Sequence, residues 1–347
     1  MIVTRTPFRV TLGGGGTDLP SFYGKHGGFI FAMGIDKYMY IMLNPPTLDR
    51  KIRLQYSKSE IVDDVSQLQH DLAREAFRAH GIEQAMEASS LADLPAGVGL
   101  GSSSSYLVGL LTALRHYRRM PAPPQEVAEE ACRIELDVLG KPIGKQDQYM
   151  AAFGGLTVLD IAKDGAVSVR AARTSPSTIF DLVANTHMYY TGVQRSAIDI
   201  LADQNAALQQ AGAKPTVQVE ESLVRIKEIG HRILEAIEDE NFDEFGRLLD
   251  AHWRFKRRMS EKITLGRVDE VYETVRERFG VLGGKIIGAG GGGFLMLYCP
   301  ARHKALTGFM EAAGLRRLHY TFEFEGAKVA ANLFNSQRIG IDHGKRG

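Results

Sequence analysis

Three glycine-rich stretches and two carboxylates hold the residue types that could do chemistry here. The second stretch, Leu94-Pro95-Ala96-Gly97-Val98-Gly99-Leu100-Gly101-Ser102-Ser103-Ser104-Ser105, runs straight into a leucine-rich segment of helical spacing. Glycines let a backbone approach an anion closely, and successive N–H groups cradle it. The helix that follows adds its positive N-terminal end. Serines at its start can cap the helix, bind phosphate or ligate Mg2+. A capped helix after a flexible turn is the plainer alternative. No Gly-Lys-Ser/Thr follows, so the loop is not a Walker A, and no His-Arg-Asp or Asp-Phe-Gly occurs.

The first stretch is Pro7-Phe8-Arg9-Val10-Thr11-Leu12-Gly13-Gly14-Gly15-Gly16-Thr17-Asp18. Four glycines after an extended segment cost more backbone entropy than an ordinary turn requires. Arg9 and Asp18 flank the run and could share one pocket, a cation for phosphate and a carboxylate for sugar hydroxyls. A surface arginine and a helix-capping aspartate are the alternative. The third stretch, Lys285-Ile286-Ile287-Gly288-Ala289-Gly290-Gly291-Gly292-Gly293-Phe294-Leu295-Met296-Leu297, sets its glycines between two apolar strands. It suggests backbone packed against something, a ligand included, and Gly290 and Gly291 are its candidates; a wide hairpin loop is the alternative.

The carboxylates are Glu135 and Asp147. On a helical wheel of residues 124–139, Glu126, Glu129, Glu130, Arg133 and Asp137 share one sector, whereas Glu135 falls between two apolar groups. A carboxylate on a buried face needs a partner, and a metal ion or an arginine would serve. Asp147, in Gly144-Lys145-Gln146-Asp147-Gln148-Tyr149, could accept a proton from a hydroxyl nucleophile, with Lys145 or Arg9 beside it. It could equally be an N-terminal helix charge.

The elements that must position these residues mix strands and helices without a regular βαβ alternation, which predicts an α+β fold. Residues 29–43 and 52–57 read as strands and 64–80 as a helix. The leucine-rich helix ends at Pro121, and a second runs from 124 to 139. Residues 156–161 and 166–171 flank Asp164-Gly165 as a hairpin. Thr174-Ser175-Pro176-Ser177 reads as the inter-domain seam. A strand at 182–190, amphipathic helices between 195 and 280, a glycine-rich hairpin at 284–299, a helix at 303–313 and a strand-like tail at 317–324 follow.

A chain of 347 residues suffices for two domains. Lys+Arg 42 against Asp+Glu 41 gives no sign of a nucleic-acid or membrane-surface partner. The N-terminus lacks the apolar core of a signal peptide, no apolar run would span a bilayer, and Cys132 and Cys299 fit no metal or redox spacing. The expectation is a cytoplasmic protein with reduced thiols.

Taken together, the three stretches resemble the three motifs of the GHMP kinases (galactokinase, homoserine, mevalonate and phosphomevalonate kinases). Pro-x-Arg-Val-x-Leu…Thr-Asp matches at Pro7 to Asp18. The phosphate loop matches at Pro95 to Ser103, with Val98 inserted before Gly99-Leu100-Gly101, and the C-terminal glycine motif matches at Gly288 to Gly293. The resemblance implies a ribosomal S5 domain 2-like N-terminal domain (1–178), a ferredoxin-like C-terminal domain (179–347), and ATP with Mg2+. By the same likeness Asp147 is the catalytic aspartate, Arg9, with Lys145, the basic group of the site, and Glu135 and Ser103 the Mg2+ ligands. The nucleotide would lie on Pro95, Gly97, Gly99, Leu100, Gly101, Ser102, Ser103 and Ser104, and the sugar on Gly14, Gly15, Gly16, Thr17 and Asp18. Gly15-Gly16 stand where galactokinases have Glu-His, which argues against galactose.

Residues 12–23, Tyr190-Thr191-Gly192-Val193-Gln194-Arg195-Ser196-Ala197 and His252-Trp253-Arg254-Phe255-Lys256 are similar to D-glycero-D-manno-heptose 7-phosphate kinases. That branch phosphorylates the anomeric hydroxyl, giving the α-1,7-bisphosphate used for GDP-heptose and surface polysaccharide. It implies a small sugar-phosphate substrate, with Thr191, Gly192, Arg195 and Lys256, and more weakly Lys25, as candidates near the substrate or its distal phosphate. A fucokinase-like sugar 1-kinase and a non-catalytic sugar sensor stay open as alternatives. A homo-oligomer is compatible with this reading.

Overall fold

Strand β1 (Ile2–Gly13) alternates buried and half-buried residues at its start, but from Thr6 onward both faces are buried. The long β2 (Gly28–Asn44) mirrors it, buried on both faces from Gly28 to Ile35 and alternating towards its end. One-sided alternation marks a strand with a solvated face, and continuous burial marks one covered twice. The two strands therefore define where the second layer of helices must lie.

The computed structural model describes residues 1–194, 197–209, 214–260, 263 and 266–334. Between β1 and β2 stands α1 (Pro20–His26); β3 (Ile52–Gln55), β4 (Ser59–Val62), α2 (Asp71–Ala79) and β5 (Met86–Ala92) follow. Next come α3 (Ser102–Tyr117), α4 (Pro124–Cys132), α5 (Gln146–Phe153), β6 (Leu156–Ile161) and β7 (Val167–Ala171). The second half holds α6 (Pro176–Asn185), β8 (Thr186–Tyr190), α7 (Ala197–Gln209), α8 (Lys214–Glu238), α9 (Phe242–Met259) and α10 (Gly266–Phe279). The chain closes with β9 (Gly283–Ile286), β10 (Phe294–Tyr298), α11 (His303–Ala312), β11 (Arg316–Leu318) and β12 (Lys328–Asn332).

The first sheet runs β12-β1-β2-β5-β3-β4, and β6 with β7 attaches to the first half of β2. The second sheet is β11-β8-β10-β9, antiparallel throughout. Helices α3 and α5 cover one face of the first sheet. Gly109 lets α3 sit close, since a Cβ there would lie 2.7 Å from Thr6 Oγ1. Helix α8 packs on β1 and β2 and pairs with α9, whose start Asn241 caps through the Glu244 N–H (3.2 Å). Gly230 of α8 meets the first glycine run directly: a Cβ on Gly13 would lie 2.8 Å from the Gly230 Cα. Part of that run thus serves helix–sheet packing.

Several expected boundaries move. The 64–80 segment splits into a 3-10 turn, Val65–Gln67, capped reciprocally by Asp64 and Gln67, and α2. Residues 182–185 finish α6, which Ser175 caps through the Thr178 N–H, so strand begins only at Thr186. The tail at 317–324 is strand only to Leu318, and Phe322 then makes one bridge to Ile35. The 178/179 boundary falls inside α6, and β12 returns to pair with β1. The chain end thereby covers the edge that β1 would otherwise leave open.

Candidate active site

The phosphate-type loop enters α3 with Gly97, Gly99 and Gly101 all at positive φ, and Gly101 is the left-handed residue preceding the helix. The third glycine loop dovetails into it. A Cβ on Gly99 would lie 2.6 Å from the Ile287 carbonyl oxygen, one on Gly288 2.7 Å from the Gly99 Cα, and one on Gly293 2.2 Å from the Val98 carbonyl oxygen. Side chains at these positions would drive the loops apart, so glycine is required on both sides of the contact. A cavity of about 900 Å³ opens at the junction. Pro95, Gly97, Gly99, Gly101, Ser102, Ser103 and Ser104 face it. Leu100 does not: it is buried in the hydrophobic core, as is the inserted Val98.

Glu135 sits in a π-helical turn, Arg133–Val138, that continues α4. The extra residue per turn shifts the wheel and brings the carboxylate, fully buried, into the cavity wall. It accepts from Ser104 Oγ (2.8 Å) and Gln148 Nε2 (2.6 Å), and from Ser103 Oγ at 3.3 Å. Burial raises its pKa, against the lowering effect of the Ser104 and Gln148 donors. Ser103 is exposed and Ser104 buried. Among the described residues there is no group of three or more His, Cys, Asp or Glu that would hold a metal alone. One carboxylate and an open hydroxyl beside a phosphate cradle fit Mg2+, which takes few protein oxygens and completes its shell with phosphates and water.

Asp147, in the first turn of α5, faces the loop. Arg9 donates to its Oδ1 from Nε (2.8 Å), with Nη2 in ion-pair contact at 2.7 Å from the same oxygen, and its Nη1 donates to the Gly99 carbonyl (2.7 Å). Gln146 Nε2 also donates to Oδ1 (2.9 Å), while Gln146 Oε1 accepts from Thr11 Oγ1 (2.8 Å). The Gln146 backbone N–H donates to Asp18 Oδ2 (3.0 Å), and Asp18 Oδ1 accepts from the Gly16 N–H (3.2 Å). Burial raises the Asp18 pKa, and the Gln146 N–H opposes it. Asp18, Gly15 and Gly16 line the cavity. Gly144 is forced by Asp18, whose Oδ2 would lie 1.9 Å from an added Cβ. Gln146 and Thr11 are functional neighbours that the sequence reading passed over; position next to Asp147 was the only signal.

Other expected residues lie elsewhere. Lys145 turns away and donates to the Gly165 carbonyl (2.5 Å), above the Tyr23 ring. Gly14 is packed under Phe29, and Thr17 bonds the Phe29 backbone through its hydroxyl (2.7 and 3.0 Å). Thr191 holds the third loop through the Gly293 carbonyl (3.0 Å), and Gly192 is exposed with nothing within 4 Å of an added Cβ. Gly290 packs on Ile263, and the Gly291 N–H donates to the Ile263 carbonyl (3.0 Å), so both support the loop instead of lining the cavity. Lys25 pairs with Glu220 (3.7 Å), away from the cavity. Arg195 lies outside the described residues.

Lys256 does reach the cavity, from the last turn of α9, and donates to the Gly288 carbonyl. Two residues that were not singled out join it. Lys285 of β9 is buried and donates to the Leu12 carbonyl (2.8 Å), at the base of the first glycine run. His252, one turn before Lys256, is buried in the wall, and among the described residues neither of its ring nitrogens has a hydrogen-bond partner. A lysine opening an apolar strand was the available sign for Lys285. At the other end Tyr56, His70 and Tyr106 form an aromatic wall, with ring centroids 4.6 and 4.7 Å apart.

The GHMP kinases N terminal domain family matches residues 66–155, and the GHMP kinases C terminal family matches 233–307. The D-glycero-alpha-D-manno-heptose 7-phosphate kinase of Campylobacter jejuni is 28% identical over 318 residues, covering 87% of this chain and 91% of that protein. Among solved structures, a D-glycero-D-manno-heptose 1-phosphate kinase from Bacteroides thetaiotaomicron superposes with a TM-score of 0.77 at 23% identity, covering 96% of this chain and 100% of that one. Lactococcus lactis galactokinase complexed with galactose superposes with a TM-score of 0.75 at 18% identity over 94% of both chains. Among the described residues no helix is long and apolar enough to cross a membrane.

Proposed function

The chain belongs to the GHMP kinase superfamily and has its two-domain fold, and from that premise we propose that it phosphorylates the anomeric hydroxyl of D-glycero-D-manno-heptose 7-phosphate with ATP. The product would be the 1,7-bisphosphate of GDP-heptose and surface polysaccharide synthesis. The observation that carries the reading is the Arg9–Asp147 pair beside Gly99 and Gly101. A carboxylate that can take a hydroxyl proton faces a phosphate cradle, and a fixed cation joins the two.

The nucleotide phosphates lie along residues 95–104, over the start of α3, where backbone N–H groups and the helix dipole favour anions. Ser103 and Glu135 would hold Mg2+, which supplies charge neutralisation at the phosphates when bound. Asp18 and the Gly15-Gly16 backbone orient the sugar. Asp147 takes the proton of the acceptor hydroxyl as that oxygen bonds to the γ-phosphorus and the bridging P–O bond to the β-phosphate breaks. Arg9 offsets charge on the moving group. Catalysis is then mainly positioning and electrostatic stabilisation.

The heptose assignment is supported by the similarity to the Campylobacter jejuni enzyme along most of both chains. It is also supported by a wall of basic side chains, Lys285 with His252 nearby, at the base of the first glycine run, which can take up charge beside an acceptor already bearing phosphate. The test is a coupled ADP-release assay with ATP·Mg2+ against heptose 7-phosphate, fucose, galactose, mannose and mevalonate. Turnover confined to heptose 7-phosphate is expected. Turnover confined to fucose or another unphosphorylated sugar would replace the substrate, and bound ATP without turnover on any acceptor would make the protein a sensor.

A further inference from the structure

We propose that Lys256 is a catalytic cation for the transferring phosphoryl group, reaching it from α9 as Arg9 reaches it from β1. The proposal rests on the kinase reading above but not on the identity of the sugar.

Lys256 is 5% exposed, and among the described residues its acceptor is the Gly288 carbonyl. Gly288 is the residue that seats against Gly99 of the phosphate loop. Arg9 Nη1 reaches the Gly99 carbonyl from the first sheet (2.7 Å). Two cations carried by different layers of the fold therefore end at one point of the loop. Asp147 is at the same point, since a Cβ on Gly101 would lie 3.3 Å from its carboxylate and 3.5 Å from Arg9 Cγ. A terminal phosphoryl group leaving the loop towards Asp147 would come within reach of both cations. Lys285, by contrast, is tied to Leu12, on the sugar side. The position of Lys256 thus belongs to the donor and not to a phosphate on the far end of the acceptor.

The charge balance points the same way. The groups facing Lys256 are Arg9 from β1, Lys285 from β9 and His252 from its own helix; Asp147 on α5 is engaged by Arg9. Burial of these basic groups beside one another disfavours their charged forms, and an anion among them would restore the charge. Burial first, and Arg9 second, bring the Lys256 pKa down to about 7, so near neutral pH much of it stands uncharged in the empty site. A phosphoryl group within reach of both Lys256 and Arg9 reverses that and draws a proton onto the amine.

The proton uptake is the readout. Titrating Mg2+·AMP-PNP, without acceptor, into the full chain at pH 7.5 in buffers of different ionisation enthalpy should show uptake of a sizeable fraction of a proton. Lys256→Arg, permanently charged, should show far less. In steady state Lys256→Met should lower kcat by about 10²–10³-fold with the acceptor KM little changed, and Lys256→Arg should restore part of it. Equal uptake by wild type and Lys256→Arg would overturn the proposal. So would a defect confined to the KM for sugar phosphate and missing with an unphosphorylated sugar. The nucleotide titration decides the point even if every sugar in the panel fails.

Discussion

Arg9 and Asp147, 138 residues apart in the chain, share a single carboxylate oxygen: Nε lies 2.8 Å and Nη2 2.7 Å from Asp147 Oδ1. Among the described residues Oδ2 accepts no hydrogen bond from Arg9, which leaves it to an acceptor hydroxyl. Asp147→Asn should retain nucleotide binding and lose turnover by about 10²–10⁴-fold, the usual range for removing a general base. Near-normal kcat with Mg2+·AMP-PNP still bound would remove Asp147 from that role.

Glu135 is held by two serines and Gln148 in a turn whose π geometry exists to present it. Glu135→Gln keeps shape and most hydrogen-bonding capacity, so the fold should survive. The Mg2+ concentration for half-maximal rate should rise by about tenfold or more. A Mg2+ titration superimposable on wild type would show that the carboxylate is structural only.

The loop contact at Gly288 allows a sharper comparison. In Gly288→Ala the methyl group would lie 2.7 Å from Gly99 at a φ of +81°. Overpacking should cost about 1–3 kcal/mol and weaken ATP binding by spreading the phosphate loop. Gly192→Ala, at φ +77° with nothing nearby, should cost about 1–2 kcal/mol of backbone strain and leave the KM for both substrates in place. Denaturation midpoints and KM values for the pair check this, and a substrate effect at Gly192 would return that residue to the site.

Lys256 also makes stability depend on pH. Its pKa is about 7 in the fold against 10.5 in a model amine, so between these values the unfolded chain binds more protons than the folded one. Stability then rises with pH across that window, and the full burial penalty is present below about 7. Lys256→Met should therefore raise the thermal midpoint more at pH 6 than at pH 9. A gain that is equal at both, or larger at pH 9, would contradict the assigned shift.

The sequence alone carried the family-like order of the motifs, the α+β class and the identities of Arg9, Asp18, Glu135 and Asp147 as groups near a phosphate loop. Those are local signals: glycines needed where backbone meets anion, and a carboxylate out of phase with its helix. It could not tell cavity residues from supporting ones within a motif. Gly15 and Gly16 line the cavity while Gly14 and Thr17 pack against Phe29, and no local pattern separates neighbours in one run. Lys145 and Lys256 are both lysines in matching segments, yet one reaches Gly165 and the other Gly288. The role of Lys285 and the return of β12 to β1 likewise depend on which backbone carbonyls and strand edges are left unpaired once the sheets have formed. Such partners lie from 20 residues (Lys145 and Gly165) to 273 residues (Lys285 and Leu12) away, beyond any local pattern, so only the tertiary structure decided them.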